Sequence, residues 1–269
     1  MSVVQELLAK IQKQIDSKNL NDSRDEKGEV IAVKDGVATI SGLNKAKFSE
    51  IIVFESGIKG LVLDLDMGSI WALILGGVDQ VNQGMTVQST GEVFSIGVGE
   101  GYLGRVVDGL GNPIDGLGDI KTKETYPVER IAPGVMTRKS VHQPLQTGIK
   151  AIDCMIPIGK GQRELIIWDR QTGKTTIAID TILNQKDDNV KCVYVAIGQK
   201  ESKIRRIVEE LKAKGAMDYT VVVNAPAHSP AVLQYIAPYI GITIAEYFLY
   251  NKQDALIIYD DLSKHANAY

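Results

Sequence analysis

The sequence predicts a small all-β barrel followed by an α/β domain built on a parallel sheet, and three observations carry that expectation. From Gly28 to about Thr90, short β-branched runs alternate with turn signals. From Arg163 onward, apolar runs of strand length alternate with stretches of helical periodicity. Between the first strand and the first helix of that alternation stands Gly173-Lys174-Thr175.

Ahead of the barrel, residues 3 to 16 place Val4, Leu7, Leu8, Ile11 and Ile15 at helical spacing, and residues 18 to 27 are polar. Residues 1–27 are therefore read as an amphipathic helix and a linker. Residues 28–92 form the barrel segment. Its β-branched runs at 30–33, 37–40, 51–54 and 60–63 are separated by turn signals such as Lys34-Asp35-Gly36 and Ser41-Gly42, a rhythm of short strands that suits a barrel or sandwich. Residues 93–269 form the third part, which opens with glycine-rich turns between Gly97 and Gly118. There 164–167 reads as a short strand entering a loop, 174–184 as a helix, 191–197 as a strand and 202–214 as an amphipathic helix ended by Gly215. Then 219–224 reads as a strand, 230–250 as mainly helix and 255–259 as a continuous apolar strand. Such alternation means a parallel sheet with helices on both faces. Only part of such a domain fits before Tyr269, so the α/β domain is expected to be truncated and its sheet open-ended.

The 269 residues carry 30 basic and 33 acidic side chains, a net charge of -3, with 44% hydrophobic and 23% charged residues. That is the balance of a soluble globular protein, and its mild acidity argues against a nucleic-acid binder. Cys154, Cys192 and the three histidines are scattered without metal-ligand spacing, so two buried free thiols in a reducing compartment are expected rather than a metal site. The N-terminus has no basic stretch and no apolar core of a signal or transit peptide. The longest apolar stretch, 240–258, is interrupted by Glu246, Lys252 and Asp254. Any membrane association is expected to run through partners.

The run Trp168-Asp169-Arg170-Gln171-Thr172-Gly173-Lys174-Thr175 follows a predicted strand and opens a predicted helix, the setting of a phosphate-binding loop. Successive backbone N–H groups at a positive helix end can wrap phosphates. Lys174 supplies a mobile positive charge for the β- and γ-phosphates, and Thr175 offers a hydroxyl to Mg²⁺. Trp168 stands where the motif has glycine, and strain of about 1–3 kcal/mol is expected if its backbone must adopt a glycine-like conformation. The alternatives are that the indole swings out over a neighbouring surface, or that the loop keeps its shape and the indole packs against the sheet's edge. Asp260, at the end of the apolar strand 255–259, is the expected carboxylate for Mg²⁺, reached through water. The strand 192–197 runs into Gly198-Gln199-Lys200, and Gln199 cannot take a proton where a glutamate would activate water. On residue type alone Gln199 reads as an exposed loop residue. Glu201 is the first candidate for a substitute base.

Longer stretches then point to a family. Pro144-Leu145-Gln146-Thr147-Gly148-Ile149-Lys150-Ala151-Ile152-Asp153, Pro157-Ile158-Gly159-Lys160-Gly161-Gln162-Arg163-Glu164-Leu165, Gly104-Arg105-Val106-Val107-Asp108 and Tyr259-Asp260-Asp261-Leu262-Ser263-Lys264-His265-Ala266 resemble the ATP synthase alpha-subunit family. The resemblance runs from about residue 28 to 269. Asp169 to Thr175 and Gly198-Gln199-Lys200 favour alpha over the catalytic beta subunit. The resemblance implies a recA-like P-loop domain, ATP or ADP with Mg²⁺ as ligands, and a nucleotide site without turnover and without catalytic residues of its own. It implies nucleotide contacts from Trp168 through Thr175 and from Gln199, and metal contacts from Thr175 and Asp260. It also implies beta subunits in an alternating hexamer, central and peripheral stalk subunits, and a place peripheral to a bacterial plasma membrane or an organelle inner membrane. The family's arginine for the neighbouring catalytic site and its C-terminal helical domain would fall beyond Tyr269. The alternatives are a Rho-like helicase, a secretion-type ATPase sharing the recA core, and a truncated product that does not assemble.

Overall fold

The computed structural model describes residues 26–169 and 172–269. The predicted N-terminal helix, the linker before Glu26, and Arg170 and Gln171 lie outside the described residues. The chain divides into two units after Phe94.

The first unit is a closed barrel of β1 (Lys27–Lys34), β2 (Val37–Ser41), β3 (Glu50–Phe54), β4 (Lys59–Asp66), β5 (Ser69–Ile74) and β6 (Thr86–Val93). The strands follow one another around it as β1-β2-β5-β4-β3-β6, with β6 pairing back on β1. The alternation seen in the sequence becomes an inside and an outside. In β2 Ala38 and Ile40 face inward, and in β3 Ile52 and Phe54 do, all essentially without solvent contact. With Val30, Val62, Ala72, Ile74 and Val87 they fill the interior. Burial of this kind stabilises by about 25 cal/mol per Å² of apolar surface. The buried carboxylate of Glu50 is satisfied by the backbone N–H groups of Lys47 (2.9 Å) and Gly91 (3.0 Å) and by the Ser89 hydroxyl. Closure removes the free strand edges an open sheet of this length would present.

The second unit contains β7 (Ser95–Val98), β8 (Val106–Asp108), β9 (Glu124–Pro127), β10 (Pro144–Leu145), α1 (Lys150–Met155), β11 (Ile158–Gly159), α2 (Lys174–Leu183), β12 (Lys191–Ile197), α3 (Glu201–Ala213), β13 (Thr220–Ala225), α4 (Ala231–Tyr250), β14 (Ala255–Asp260) and α5 (Leu262–Ala268). Its centre is a parallel sheet in the order β14-β12-β13-β8. Both faces are covered. Cys192, Tyr194 and Ala196 of β12 pack with Ile179 and Ile182 of α2 and Ile204, Ile207 and Leu211 of α3. Val195, on the opposite face, meets α4 at Gly241. Helix α4 is long and apolar enough to cross a membrane, yet Ile236, Ile240, Ile244 and Phe248 recur every fourth residue and are fully buried in this unit. It is the core helix of a two-faced sheet.

Three expectations are corrected here. Residues 164–167 form no strand; Leu165 is 71% exposed and Ile167 is 76% exposed. A strand exists only through pairing, and no described strand pairs with this run. Residues 106–108, read as part of a glycine-rich turn region, instead join the parallel sheet as β8, in register with Val222, Val223 and Asn224. Both cysteines are free, as expected, but only Cys192 is buried; Cys154 is exposed on the short helix α1.

Candidate functional site

The candidate site lies where β12 and β14 end, facing the start of α2. Parallel sheets gather ligand sites at the carboxyl ends of their strands because helix N-termini converge there. Gly173 caps α2 with a φ of 92°, a left-handed conformation that a side chain would resist. The turn it makes starts the helix at Lys174, leaving the first backbone N–H groups without intrahelical partners. Thr172 donates its hydroxyl to the Asp169 carbonyl (2.8 Å), and the Lys174 ammonium donates to the Trp168 carbonyl (2.8 Å). The lysine thus spans the loop to which it belongs.

Trp168 does not adopt a glycine-like backbone. Its φ is not in the left-handed region and its side chain is 68% exposed. The backbone here is thus not in the conformation that favours glycine, and the indole is largely exposed.

Asp260 is the hub. Its Oδ2 accepts hydrogen bonds from the Thr175 hydroxyl (2.9 Å), the Tyr194 hydroxyl (2.7 Å) and the Lys203 ammonium (3.1 Å). Its Oδ1 accepts from the Gln199 amide (3.0 Å), which also reaches Asp261 Oδ2 (3.3 Å). Burial raises the Asp260 pKa, but the hydrogen bonds from Tyr194, Lys203 and Thr175 outweigh it and hold the carboxyl below its ordinary value. Burial and the Asp260 charge push the Tyr194 phenol upward, so it stays a donor. Asp261 caps α5 by accepting from the Lys264 backbone N–H (2.9 Å), and His265 stacks on Tyr235 at 5.6 Å. These contacts fix the end of β14 and so the position of Asp260.

The structure brings together Thr175, Asp260 and Gln199. Gln199 is not the exposed loop residue that residue type suggested; it is half-buried and bonded to both carboxylates. Asp169 and Thr172 sit on the exposed loop, and Glu201 opens α3 as an exposed residue. Sequence reasoning missed Lys203 and Tyr194. Lys203 stands one helical turn after Gln199, a spacing that puts both on one face. Tyr194 pairs in register with Ile258, two residues before Asp260, and so shares its face of the sheet.

The residues fit a magnesium ion. The Thr175 hydroxyl donates to Asp260 Oδ2 at 2.9 Å, so a hydroxyl that could bind the ion directly stands beside a carboxylate that could hold one of its waters. No cluster of three or more His, Cys, Asp and Glu exists among the described residues. Magnesium sites of the phosphate-binding kind need none, because one carboxylate and the phosphates suffice.

Comparison with known proteins finds matches over both parts of the chain. A model of the ATP synthase alpha/beta family, beta-barrel domain, matches residues 24–91, and one of the ATP synthase alpha/beta family, nucleotide-binding domain, matches residues 148–269. The chain is 55% identical over 266 residues to the ATP synthase subunit alpha of Mesoplasma florum, covering 99% of this chain and 51% of that protein. It is equally similar, at 55% over 266 residues, to the ATP synthase subunit alpha of Mycoplasma capricolum subsp. capricolum. The chain spans about half the length of these curated relatives.

Proposed function

The chain belongs to the ATP synthase alpha/beta family, and we propose that it acts as an alpha-type, nucleotide-holding subunit that does not itself hydrolyse ATP. The loop from Trp168 to Thr175 binds the phosphates of ATP or ADP, with Lys174 opposite the terminal phosphates. Thr175 and Asp260 hold Mg²⁺. The observation that carries the reading is Gln199: at the end of β12 an amide, not a carboxylate, is hydrogen-bonded to Asp260 and Asp261. An amide cannot accept a proton from attacking water, so general-base help is lacking there. Catalysis would then belong to beta subunits alternating with this one around a central stalk, tied by a peripheral stalk to a coupling membrane that this chain touches only through its partners.

The test measures binding of a fluorescent ATP analogue and phosphate release on the 269-residue chain and on Lys174→Ala. The parent binds without measurable turnover, and Lys174→Ala weakens binding at least about tenfold, the effect of losing about 1.4 kcal/mol. Turnover in the parent that disappears in Lys174→Ala overturns the non-hydrolysing role. Glu201→Gln then shows whether that side chain is the base.

A further inference from the structure

The ammonium of Lys203 has three N–H donors, and three acceptors meet it: Thr175 Oγ1 at 3.0 Å, Gln199 Oε1 at 3.1 Å and Asp260 Oδ2 at 3.1 Å. Two of these oxygens are the pair that fits magnesium. They are 2.9 Å apart, and Nζ makes a nearly equilateral triangle with them. An ion bonded to Thr175 Oγ1 on that side at about 2.0–2.1 Å, with a water carried between it and Asp260, would need the space the ammonium fills, so the two cannot coexist there. Another approach to Asp260 Oδ2 is taken by the Tyr194 hydroxyl at 2.7 Å. The lysine is no loosely solvated surface charge, since its side chain is 32% exposed and its stem rises from α3 one turn beyond Gln199.

We propose that Lys203 is a tethered cation that occupies the metal position formed by Thr175 and Asp260, so that a divalent ion binds there only by displacing it. Two consequences separate this from an ordinary ion pair. The lysine already neutralises Asp260 and orients the Thr175 hydroxyl, so the loop does not need metal to keep its shape. Divalent ions alone compete against a covalently attached rival, whose high local concentration lowers their apparent affinity. Metal enters efficiently only when phosphate oxygens add further ligands. The second consequence rests on the nucleotide-binding reading above; the first does not.

The experiment uses Mn²⁺ as the probe, its free concentration followed by electron paramagnetic resonance, on the parent chain, Lys203→Met and Lys203→Gln. Met keeps the length of the stem, and the shorter Gln keeps a hydrogen-bonding tip; circular dichroism checks their folding. Removing the lysine tightens Mn²⁺ binding at least about tenfold in the absence of nucleotide, and adding Asp260→Ala to Lys203→Met abolishes the gain. In parallel, the affinity for a fluorescent ADP analogue is measured in EDTA and in Mg²⁺. Because linked binding is reciprocal, the parent gains about tenfold or more in Mg²⁺, whereas Lys203→Met gains less than about threefold. Unchanged or weakened Mn²⁺ affinity in both variants, or a gain that survives Asp260→Ala, overturns the proposal. Tightened Mn²⁺ binding in a chain that binds no nucleotide supports the role of the lysine while overturning the nucleotide reading. Nucleotide binding with unchanged Mn²⁺ affinity does the reverse.

Discussion

Replacing Asp260 by asparagine changes almost no volume, so its effect reports the hydrogen bonds and charge of the hub. Oδ2 accepts from Thr175, Tyr194 and Lys203, and Oδ1 accepts from Gln199. An asparagine can offer only one oxygen. Placed at Oδ2, it leaves its own NH₂ facing the NH₂ of Gln199. Rotating the Gln199 amide relieves that clash but turns its NH₂ toward the Lys203 ammonium, which now bonds Gln199 Oε1 at 3.1 Å. No arrangement satisfies every donor. A charge-assisted hydrogen bond lost here is worth about 1.5–3 kcal/mol, and an unmatched buried donor costs about 1–3 kcal/mol more. The partial exposure of Lys203 lets water recover some of that, which leaves a net loss of about 2–3 kcal/mol.

The assay is urea unfolding at pH 7 followed by far-ultraviolet circular dichroism, because every α-helix among the described residues lies in the second unit. With a slope near 2 kcal/mol per molar urea, the midpoint of Asp260→Asn falls by roughly 1–1.5 M. The pH dependence has a definite sign. Asp260 is held below the ordinary carboxylate value, so its contribution is fully present above an unfolded pKa of about 3.9 and is lost as pH falls through the lower folded value. The gap between parent and variant therefore narrows below about pH 4. In Lys203→Met/Asp260→Asn part of the loss returns, because no stranded ammonium remains. An Asp260→Asn chain as stable as the parent at pH 7, or more stable, would refute this account. It would mean that the hub is a strained arrangement of charge rather than a set of satisfied bonds.

Trp168→Gly leaves affinity for an ATP analogue within about twofold of the parent, because the position carries neither left-handed backbone nor a buried indole. A tenfold gain would show that the tryptophan does distort the loop. Gly241→Ala lowers stability although alanine favours helix by about 1 kcal/mol, because its Cβ would stand 2.4 Å from Val195 Cγ2 on the neighbouring strand. Overpacking of that kind costs about 1–3 kcal/mol, and a urea midpoint equal to or above the parent's would contradict it.

The strands of the second unit show what local pattern can and cannot reveal. Residues 192–197 and 255–259 are largely apolar, as strands of a sheet flanked by helices are, and their assignments hold to within a residue. Residues 164–167 have the same texture and form no strand, since pairing depends on a neighbour that local composition does not contain. Conversely β8 is three residues long among glycines, too short to show a period, and is recognisable only through its register with β13. The barrel was legible as short alternating strands, but its circular order β1-β2-β5-β4-β3-β6 is a property of long-range pairing. The site divides in the same way. Gly173, Lys174, Thr175 and Asp260 announce themselves because phosphate and metal chemistry demands those residue types next to a strand end and a helix start. Lys203 does not, because a lysine on an amphipathic helix reads as solvated surface. Only the convergence of α3 on the ends of β12 and β14 turns it inward against Thr175 and Asp260. The residue types that could carry the chemistry were therefore visible along the chain, while the control over metal entry resides in a contact between segments far apart in it.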